Sequence, residues 1–485
     1  MTIRVIANHK YVDEIQSIAQ IFFPHARFGG EDLPEFTISS SFDNGKVHAG
    51  LFSGSVAAHA IGTCSLELAD LPTVADKRQA MLAMYRLLQA TIGAYTPWGA
   101  LTGVRPTKMV REWIASGQSE NQIHKELQYT FHVHECRTNL AIAVAKAENN
   151  LAAKICSVMT KATPQRPTLG LYVSIPFCPS RCVYCSFNTA SGSWSEQSQA
   201  QYITAVIDEL GRVSDNLLKT GSHVSSVYIG GGTPTALTDG LLERLLSAIQ
   251  TICSPSEYTI EAGRPDTITR NNLKIMRNYG ITRISINPQT VNDITLKSIG
   301  RNHTTRDFLQ AFELAREEGF TTINTDIIAG LPGEGPKDMH HTMETLTALT
   351  PENITVHTLA VKRASKLNEL RADTPLHTPL PDAKTIESQL KIAHDACAAM
   401  GHNPYYLYRQ KNMAALFENT GYSLPGHECL YNIGMMSEVQ TVLGVGAGAV
   451  SKYIEGTKIT RKFNAKNPDV YIQRIMDDNK KGSIT

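Results

Sequence analysis

The segment Tyr172-Val-Ser-Ile-Pro-Phe-Cys178-Pro-Ser-Arg-Cys182-Val-Tyr-Cys185-Ser-Phe187 decides how this chain is interpreted. Its three cysteines are separated by three and then two residues, so one loop can present three thiolates to three corners of an iron–sulfur cube. A fourth thiolate would complete the ligand set of an electron-transfer cluster, whereas three leave one iron open to a small ligand. The alternatives are a zinc loop or a chance group of buried thiols, but zinc sites usually draw on two separated pairs of ligands.

From Leu169 onward the chain alternates short apolar strands with helical segments. The predicted strands cover residues 170–175, 225–230, 257–262, 282–287, 321–328 and 353–359, with helical patterns such as 201–218, 241–251 and 305–318 between them. Repeated strand–helix units imply a parallel sheet with right-handed crossovers. Six such units predict an α/β fold with a partial (β/α)6 barrel that is open on one side.

Polar and glycine-rich segments follow these strands, at the edge where parallel α/β folds place their chemistry. The cysteine loop follows the first strand, Gly230-Gly231-Gly232-Thr233-Pro234 follows the second, and Glu261 and Asp326 belong to the third and fifth. Glycines let backbone amides approach a ligand, although a simple turn uses the same residues. A carboxylate between apolar runs is costly unless it binds something, and a structural hydrogen bond is the alternative. A second glycine-rich segment, 443–449, is predicted to be a tight turn.

The order of these motifs resembles that of the radical S-adenosylmethionine (radical SAM) superfamily, and in particular its oxygen-independent coproporphyrinogen III dehydrogenase (HemN-like) branch. That order runs from the cysteine triad through GGTP, Glu261, Gln289, Gly300-Arg301-Asn-His303 and Asp326 to Gly330-Leu-Pro-Gly333. Three longer strings, at 101–108, 354–365 and 404–413, are similar to the HemZ-type subgroup, so the resemblance covers essentially the whole chain.

The resemblance implies a radical SAM barrel with two cofactors, a [4Fe-4S] cluster on Cys178, Cys182 and Cys185 and S-adenosyl-L-methionine (SAM) on the open iron. The residues that it implies for SAM binding are Tyr172, Tyr184, Phe187, Gly231, Gly232, Thr233, Glu261, Gln289, Arg301, Asp326 and Ala360. It assigns no catalytic side chain beyond the cluster and the cofactor. His303, His357 and His427 are either proton carriers or structural residues.

The resembled reaction is the oxidative decarboxylation of two propionates of coproporphyrinogen III by a SAM-derived 5′-deoxyadenosyl radical. It yields the vinyl groups of protoporphyrinogen IX in haem biosynthesis. A low-potential electron donor of the flavodoxin or ferredoxin type is the implied partner. Because the substrate carries carboxylates, cations are expected at the cavity mouth. The candidates are Arg264, Lys362, Arg363 and Arg409, each of which could instead be a solvated surface charge.

Two positions depart from the pattern of the authenticated dehydrogenases. Those proteins carry a further cysteine where Phe187 stands here, and a histidine where Ser174 stands. Haem-chaperone relatives also lack the additional cysteine. A haem-chaperone-like protein, or a radical SAM enzyme of the same branch with a different substrate, is therefore the alternative function.

Composition and charge limit the partners and suggest the domain organisation. The net charge is +1, from 46 basic and 45 acidic residues, so no global field favours nucleic acid or a membrane surface. No apolar run approaches the roughly 18 residues of a membrane span, and the scattered remaining cysteines indicate a cytoplasmic protein. Residues 1–160 are interpreted as an N-terminal α+β domain that could act as a substrate lid. Residues 169–375 are interpreted as the barrel and 376–485 as a C-terminal α+β extension.

Overall fold

The computed structural model of the protein describes residues 1–24, 26–29, 34–43, 46–53, 56–62, 72–161, 168–186, 190–191, 194–362, 364–373, 379–410, 413–456 and 458–482. These residues divide into two units. The first comprises Met1–Ala145 and Arg409–Glu418, and the second comprises Lys146–Tyr408 and Asn419–Thr485. The domain boundaries at 160 and 376 stay predictions.

The first unit is built on a five-stranded sheet with the order β2-β1-β3-β4-β5. Its strands are β1 (Thr2–Ala7), β2 (Arg27–Phe28), β3 (Phe36–Asp43), β4 (Lys46–Ser53) and β5 (Val56–Gly62). Its helices are α1 (Val12–Phe22), α2 (Pro72–Ile92), α3 (Thr107–Ala115), α4 (Glu120–Lys125) and the first part of α5 (Glu135–Lys161), with a π-helical turn at Glu126–Thr130 and a 3-10 turn at Ala414–Leu416. Ile15 and Ile18 of α1, and Met84 and Leu88 of α2, are fully buried at helical spacing.

The second unit contains an eleven-stranded sheet with the order β14-β15-β13-β12-β11-β10-β9-β6-β16-β17-β18. Six consecutive members are parallel: β6 (Thr168–Ile175), β9 (His223–Gly231), β10 (Glu257–Glu261), β11 (Arg283–Ser285), β12 (Ile323–Ala329) and β13 (Asn353–Thr358). The remaining strands are β14 (Asn403–Tyr408), β15 (Asn419–Ser423), β16 (Val442–Val445), β17 (Val450–Glu455) and β18 (Lys458–Phe463). A separate parallel pair joins β7 (Phe177–Cys178) to β8 (Ala190–Ser191).

Helices connect the parallel strands, as the sequence pattern predicts. The helices between β6 and β13 are α6 (Glu196–Thr220), α7 (Asp239–Ile252), α8 (Arg270–Asn278), α9 (Asp293–Ser298), α10 (Thr305–Glu317) and α11 (Pro336–Leu349), with 3-10 turns at Pro234–Ala236 and Pro265–Thr267. After β13 the chain forms α12 (Lys366–Asp373), α13 (Ala383–Ala399), α14 (Leu430–Ser437) and α15 (Pro468–Gly482). Several begin at a local capping signal. The Ser195 hydroxyl accepts the Ser198 amide before α6, and Thr304 and Asp307 form a capping box before α10.

Alternation along the strands separates an apolar core from a polar interior. Val227 and Ile229 of β9, Ile260 of β10 and Ile284 of β11 are fully buried. Because successive side chains of a strand point to opposite faces, the residues between them share the other face, where the cavity described below lies. This arrangement is the predicted α/β fold with a parallel sheet.

Strands from the C-terminal part of the chain pair with both outer members of the parallel set. Residues 353–356 of β13 pair with β15 in an antiparallel manner, and β15 pairs with β14. On the other side β16 pairs with β6 in a parallel manner, followed by β17 and β18. The segment 443–449, predicted to be a turn, therefore begins as a strand. Among the helices that the structure describes, none combines the length and the apolar character that crossing a bilayer requires.

Candidate active site

The cysteine loop follows β6 and is fixed by backbone hydrogen bonds. Cys178 lies on β7, and the amide of Cys185 donates to the carbonyl of Cys182 at 3.1 Å. Between them, the amide of Val183 donates to the carbonyl of Ile299 at 3.0 Å, directly after α9. The three thiols therefore stand on one loop that is tied to the segment between α9 and α10.

The glycine motif packs directly against this loop. The amide of Gly232 donates to the carbonyl of Ile175, and that of Thr233 donates to the carbonyl of Phe177, both at 2.7 Å. A Cβ atom on Gly232 would lie 2.6 Å from the Phe177 carbonyl oxygen, so only glycine fits there. The Thr233 hydroxyl lies 3.4 Å from the Cys178 sulfur. The motif and the first thiol are thus parts of one site.

Glu261 connects the end of β10 to the glycine motif. The Tyr228 hydroxyl donates to its Oε1 at 2.7 Å, and the Gly231 amide donates to its Oε2 at 3.2 Å. Burial raises the pKa of Glu261 to about 7, and the Asp326 carboxylate adds to this rise against the two hydrogen bonds. A cationic ligand beside this carboxyl group would stabilise its charged form.

The pKa of Asp326, on β12, is shifted in the opposite direction to that of Glu261. The Asn324 amide group donates to its Oδ1 at 2.8 Å, and His357 Nε2 lies 3.7 Å from its Oδ2. Burial opposes ionisation, but hydrogen bonding and the charge of His357, together with the Asn324 amide, lower the pKa of Asp326 below its ordinary value. The site therefore combines one ionised carboxylate with one that titrates near neutrality.

Gln289 stands beside Asp326 in a backbone conformation that few side chains adopt. Its φ is 69°, in the left-handed region. Its amide donates to the Asp326 carbonyl at 3.0 Å, and its own carbonyl accepts from the Ile328 amide at 2.9 Å. These two bonds to β12 hold the strained backbone, a feature that is frequent at functional sites.

Arg301 lies on the side of the loop that carries Tyr184. Its guanidinium donates to the carbonyls of Gly263 at 2.8 Å and Asn287 at 2.6 Å, and reaches the Tyr184 hydroxyl at 3.4 Å. His303 Nδ1 accepts from Arg301 Nε at 3.4 Å, while its Nε2 has no hydrogen-bond partner among the residues that the structure describes. Burial and the Arg301 charge lower the pKa of His303 to about 3, so this imidazole is neutral.

A cavity of about 440 Å³ opens beside these groups on the polar face of the parallel strands. Both carboxyl groups, Glu261 and Asp326, line it together with His357. The other lining residues come from the sheet and from α14: Tyr228, Thr259, Arg283, Ser285, Asn324, Thr355, Tyr405, Tyr406, Tyr408, Cys429, Tyr431, Asn432, Met435 and Met436. The carboxyl groups therefore join the glycine motif to an interior space that a ligand can occupy.

An ion pair between Glu257 and Arg283, of which Arg283 lines the cavity, anchors the start of α14. Glu257 accepts the amides of Leu430 at 2.7 Å and Tyr431 at 2.9 Å. Arg283 lies 3.6 Å from Glu257 and donates to the carbonyl of Glu428 at 3.0 Å. A carboxylate at a helix N-terminus is favourable, so this pair fixes the helix that supplies Tyr431 to the cavity.

Several residues that line the cavity were not predicted from the sequence as part of the site. Tyr228 and Arg283 occupy alternate strand positions relative to buried aliphatic residues, a signal that was present in the sequence. Tyr431 and the methionines of α14 lie beyond the last predicted strand, and no periodicity connects them to the sheet. Their place in the cavity depends on the contacts of Glu257 and Arg283.

The predicted substrate cations are dispersed. Arg264 is buried against the cysteine loop and is absent from the cavity lining, whereas Arg409 belongs to the first unit. There Arg409 donates to the carbonyls of Leu101 and Leu416, and burial lowers its pKa to about 10. Lys362 precedes α12, and its carbonyl accepts the Ser365 hydroxyl at 2.6 Å. Arg363 lies outside the described residues.

The remaining predicted cofactor contacts are Tyr172, Ala360 and Phe187, of which Tyr172 and Ala360 belong to the second unit. Tyr172, on β6, stacks on Tyr228 with a centroid distance of 6.2 Å, next to Glu261. Ala360 follows β13 and is half-buried. Phe187 lies outside the residues that the structure describes.

The donor set of the loop fits a cluster held by thiolates. Burial raises the pKa of Cys178 to about 11, so this thiol must lose a proton when it binds iron. The Arg264 guanidinium lies 3.8 Å from the Cys182 sulfur. No group of three His, Cys, Asp or Glu side chains in the described ranges is arranged to hold a single metal ion.

Comparison with known proteins agrees with this site. Residues 172–346 match the family described as "Radical SAM superfamily". The chain is 35% identical over 475 residues to the oxygen-independent coproporphyrinogen-III oxidase-like protein HemZ of Bacillus subtilis, covering 95% of this chain and 92% of that protein. It is also 33% identical over 294 residues to the haem chaperone HemW of B. subtilis, covering 59% of this chain and 71% of HemW.

Among solved structures, coproporphyrinogen III oxidase (HemN) from Escherichia coli, described as a radical SAM enzyme, aligns with a TM-score of 0.53 and 24% identity. The alignment covers 65% of this chain and 70% of HemN, and it shows a shared fold.

The parallel sheet and its cysteine loop thus define a radical SAM protein, a class that binds a [4Fe-4S] cluster and SAM. Because the likeness to HemZ extends over nearly the full length of both chains, the protein belongs to the HemZ-like family within the radical SAM superfamily. The predicted family, fold class and cofactors are confirmed.

Proposed function

We propose that the protein is an oxygen-independent coproporphyrinogen III dehydrogenase that converts two propionate side chains to vinyl groups in haem biosynthesis. The observation that carries this proposal is the cavity that joins the glycine motif, Glu261 and Asp326 to an interior lined by Tyr228 and Arg283. Glu261 links this cavity to the glycine motif, which packs on the cysteine loop, and an interior position suits a reaction that must exclude water. The near full-length likeness to a coproporphyrinogen-III oxidase-like protein supports the same function.

In this proposal the cluster is held by Cys178, Cys182 and Cys185, and SAM is held by the residues predicted for it. Gly231, Gly232 and Thr233 present backbone to the amino-acid end of SAM, and Glu261 supplies a carboxylate for its cationic amino group. When bound, SAM supplies a 5′-deoxyadenosyl radical after one-electron reduction through the cluster.

Other predicted contacts would hold the remainder of the cofactor. Tyr184 is fixed by Arg301 beside the loop, which suits an aromatic surface for adenine. Gln289 and Asp326 are fixed to each other by their backbone, which suits polar contacts to a ribose. Tyr172, Phe187 and Ala360 complete the proposed set.

The proposed substrate requires cationic partners for its carboxylates. Arg283 supplies a guanidinium to the cavity lining, and within the described part of the chain its Nε has no hydrogen-bond partner. Its other nitrogens donate to Asn353 and to the Glu428 carbonyl, which precedes α14. A substrate carboxylate would therefore meet a donor that is already fixed in position. Lys362, Arg363 and Arg409 stay proposed contacts for the remaining carboxylates.

The proposal includes a partner, a compartment and a role for the N-terminal residues. A flavodoxin- or ferredoxin-type donor would deliver the low-potential electron that the cluster needs. A cytoplasmic location would keep the cluster thiolates reduced before iron binds. Residues 1–160 are proposed to act as a lid for the substrate.

A haem-chaperone function is the second candidate, because HemW proteins are among the relatives. Phe187 and Ser174 also occupy positions where the authenticated dehydrogenases are expected to carry cysteine and histidine. A third candidate is a radical SAM reaction on a different substrate.

An anaerobic product assay separates these functions. Reconstituted protein is incubated with SAM, dithionite and coproporphyrinogen III, and 5′-deoxyadenosine and protoporphyrinogen IX are quantified. The proposal predicts both products, and Cys182→Ser should abolish both while the matched control Cys253→Ser retains them. Formation of 5′-deoxyadenosine without porphyrinogen turnover would support a different substrate. Haem binding with neither product would support the chaperone.

A further inference from the structure

Arg264 is a buried guanidinium with one face on the cluster loop. Arg264 is 3% exposed, and it precedes the 3-10 turn at Pro265–Thr267. Nη1 donates to the Ser180 carbonyl at 3.3 Å and points at the Cys182 sulfur at 3.8 Å. Nη2 donates to the Ser180 hydroxyl at 3.0 Å. The side chain therefore contacts the middle of the cysteine loop, at Ser180 and Cys182.

Asp266 binds the opposite edge of the same guanidinium. Arg264 Nε lies 3.1 Å from Asp266 Oδ1, and Nη2 lies 3.2 Å from Oδ2. The side-chain exposure differs, 4% for Arg264 and 21% for Asp266, so water screens the carboxylate more than the guanidinium. The pair consequently leaves a net positive potential at the Cys182 sulfur.

The neighbouring groups do not cancel this potential. His303 Nδ1 lies 4.0 Å from Asp266 Oδ1, and its imidazole is neutral at physiological pH. Arg301, on the far side of Tyr184, adds a second buried positive charge. The potential of an iron–sulfur cluster depends on the local charge and on hydrogen bonds to its sulfurs.

We propose that Arg264 is a positioning residue that raises the reduction potential of the cluster by donating to Cys182. One electron from an external reductant adds one negative charge to the cluster and its thiolates, and the fixed guanidinium stabilises that charge. Asp266 moderates this effect by partial neutralisation. The inference rests on the cluster, which the family establishes, and is independent of the proposed substrate.

A redox titration of reconstituted full-length protein, followed by electron paramagnetic resonance, tests the proposal. Arg264→Gln removes the charge, and the equilibrium constant for one-electron reduction should fall at least tenfold, equivalent to about 59 mV for one electron. Arg264→Lys keeps the charge but loses the planar fork, so its midpoint should lie between those of Arg264→Gln and the unmodified protein. The matched control is Arg270→Gln, which removes an exposed arginine paired with Glu317 and Glu318.

Asp266→Asn provides a test of opposite sign. Removing the carboxylate leaves the guanidinium uncompensated, so the midpoint should rise above that of the unmodified protein. This variant decides the question if Arg264→Gln does not retain its cluster. Midpoints equal to that of the Arg270→Gln control, at equal iron content, would overturn the proposal. Because the readout is a potential, it stands apart from coproporphyrinogen turnover.

Discussion

Glu261 shows how the surroundings of one side chain set its protonation. Its carboxyl group lies between the Tyr228 hydroxyl and the Gly231 amide, yet burial outweighs both and raises its pKa from 4.5 to about 7. A raised acid pKa means that the folded state binds the proton more tightly than the unfolded state. The stabilisation from this group is therefore complete below about pH 4.5 and is lost as the pH rises towards 7.

Glu261→Gln should remove this pH dependence, because the amide is neutral throughout. The stability of the unmodified protein relative to the variant should decline between about pH 4.5 and pH 7, which urea unfolding at several pH values would measure. SAM binding should weaken about tenfold in the variant at pH 8, where a carboxylate would otherwise pair with the amino group. A stability difference that is constant with pH would contradict the raised pKa.

At the scale of single elements, the contact of β9 with the cysteine loop limits residue size. Gly232→Ala should lower the free energy of unfolding by roughly 1–3 kcal/mol, because its Cβ would lie 2.6 Å and 2.9 Å from backbone oxygens. Formation of 5′-deoxyadenosine should fall as well, since the loop must shift. Urea unfolding and product analysis would measure the two effects.

Gly240→Ala is the matched control for this prediction. A Cβ atom there meets nothing within 4 Å, and the position lies in the first turn of α7. This variant should be as stable as the unmodified protein or gain up to about 1 kcal/mol. Equal behaviour of the two alanine variants would show that the glycine motif tolerates a side chain.

The parallel strands were predictable because each is a short apolar run bounded by turn residues. Strand β9, predicted at 225–230, extends over His223–Gly231, and β13, predicted at 353–359, covers Asn353–Thr358. The pairing of β16 with β6 was not predictable, because Val442 and Gly170 are separated by most of the second unit along the chain. The glycine content around Gly444 and Gly446 predicts a turn, whereas the structure places Gly444 in β16.

The same distinction applies to the site. The positions of Cys178, Gly232 and Glu261 were predictable, because each lies at or just after the end of a parallel strand and the strand ends meet. The surroundings of Arg264 were not predictable, because its partner Ser180 belongs to a different loop, and a sequence gives no distance between loops. An arginine expected to face a substrate therefore lies behind the cysteine loop.

At the scale of the whole molecule, the first unit has a buried ionic centre of its own. Glu418 accepts the Trp98 indole N–H at 2.7 Å and pairs with Arg137 Nε at 3.1 Å. All three side chains are buried. Loss of one partner from a buried pair leaves an uncompensated charge, which costs about 3–5 kcal/mol.

Glu418→Gln should therefore destabilise the first unit and leave the iron content of the cluster unchanged. If residues 1–160 act as a lid, affinity for coproporphyrinogen III should also fall, which equilibrium binding under anaerobic conditions would measure. Glu112→Gln, an exposed position on α3, is the matched control. Unchanged affinity in a variant with a destabilised first unit would exclude the lid.

The placement of β14–β18 has a consequence for biosynthesis. Both margins of the six parallel strands are covered by segments that are synthesised after those strands, β15 beside β13 and β16 beside β6. Until those residues emerge, the nascent chain carries two unsatisfied hydrogen-bonding borders, which favour self-association. A premature stop before residue 419 should thus yield insoluble product even though every cysteine ligand is already present.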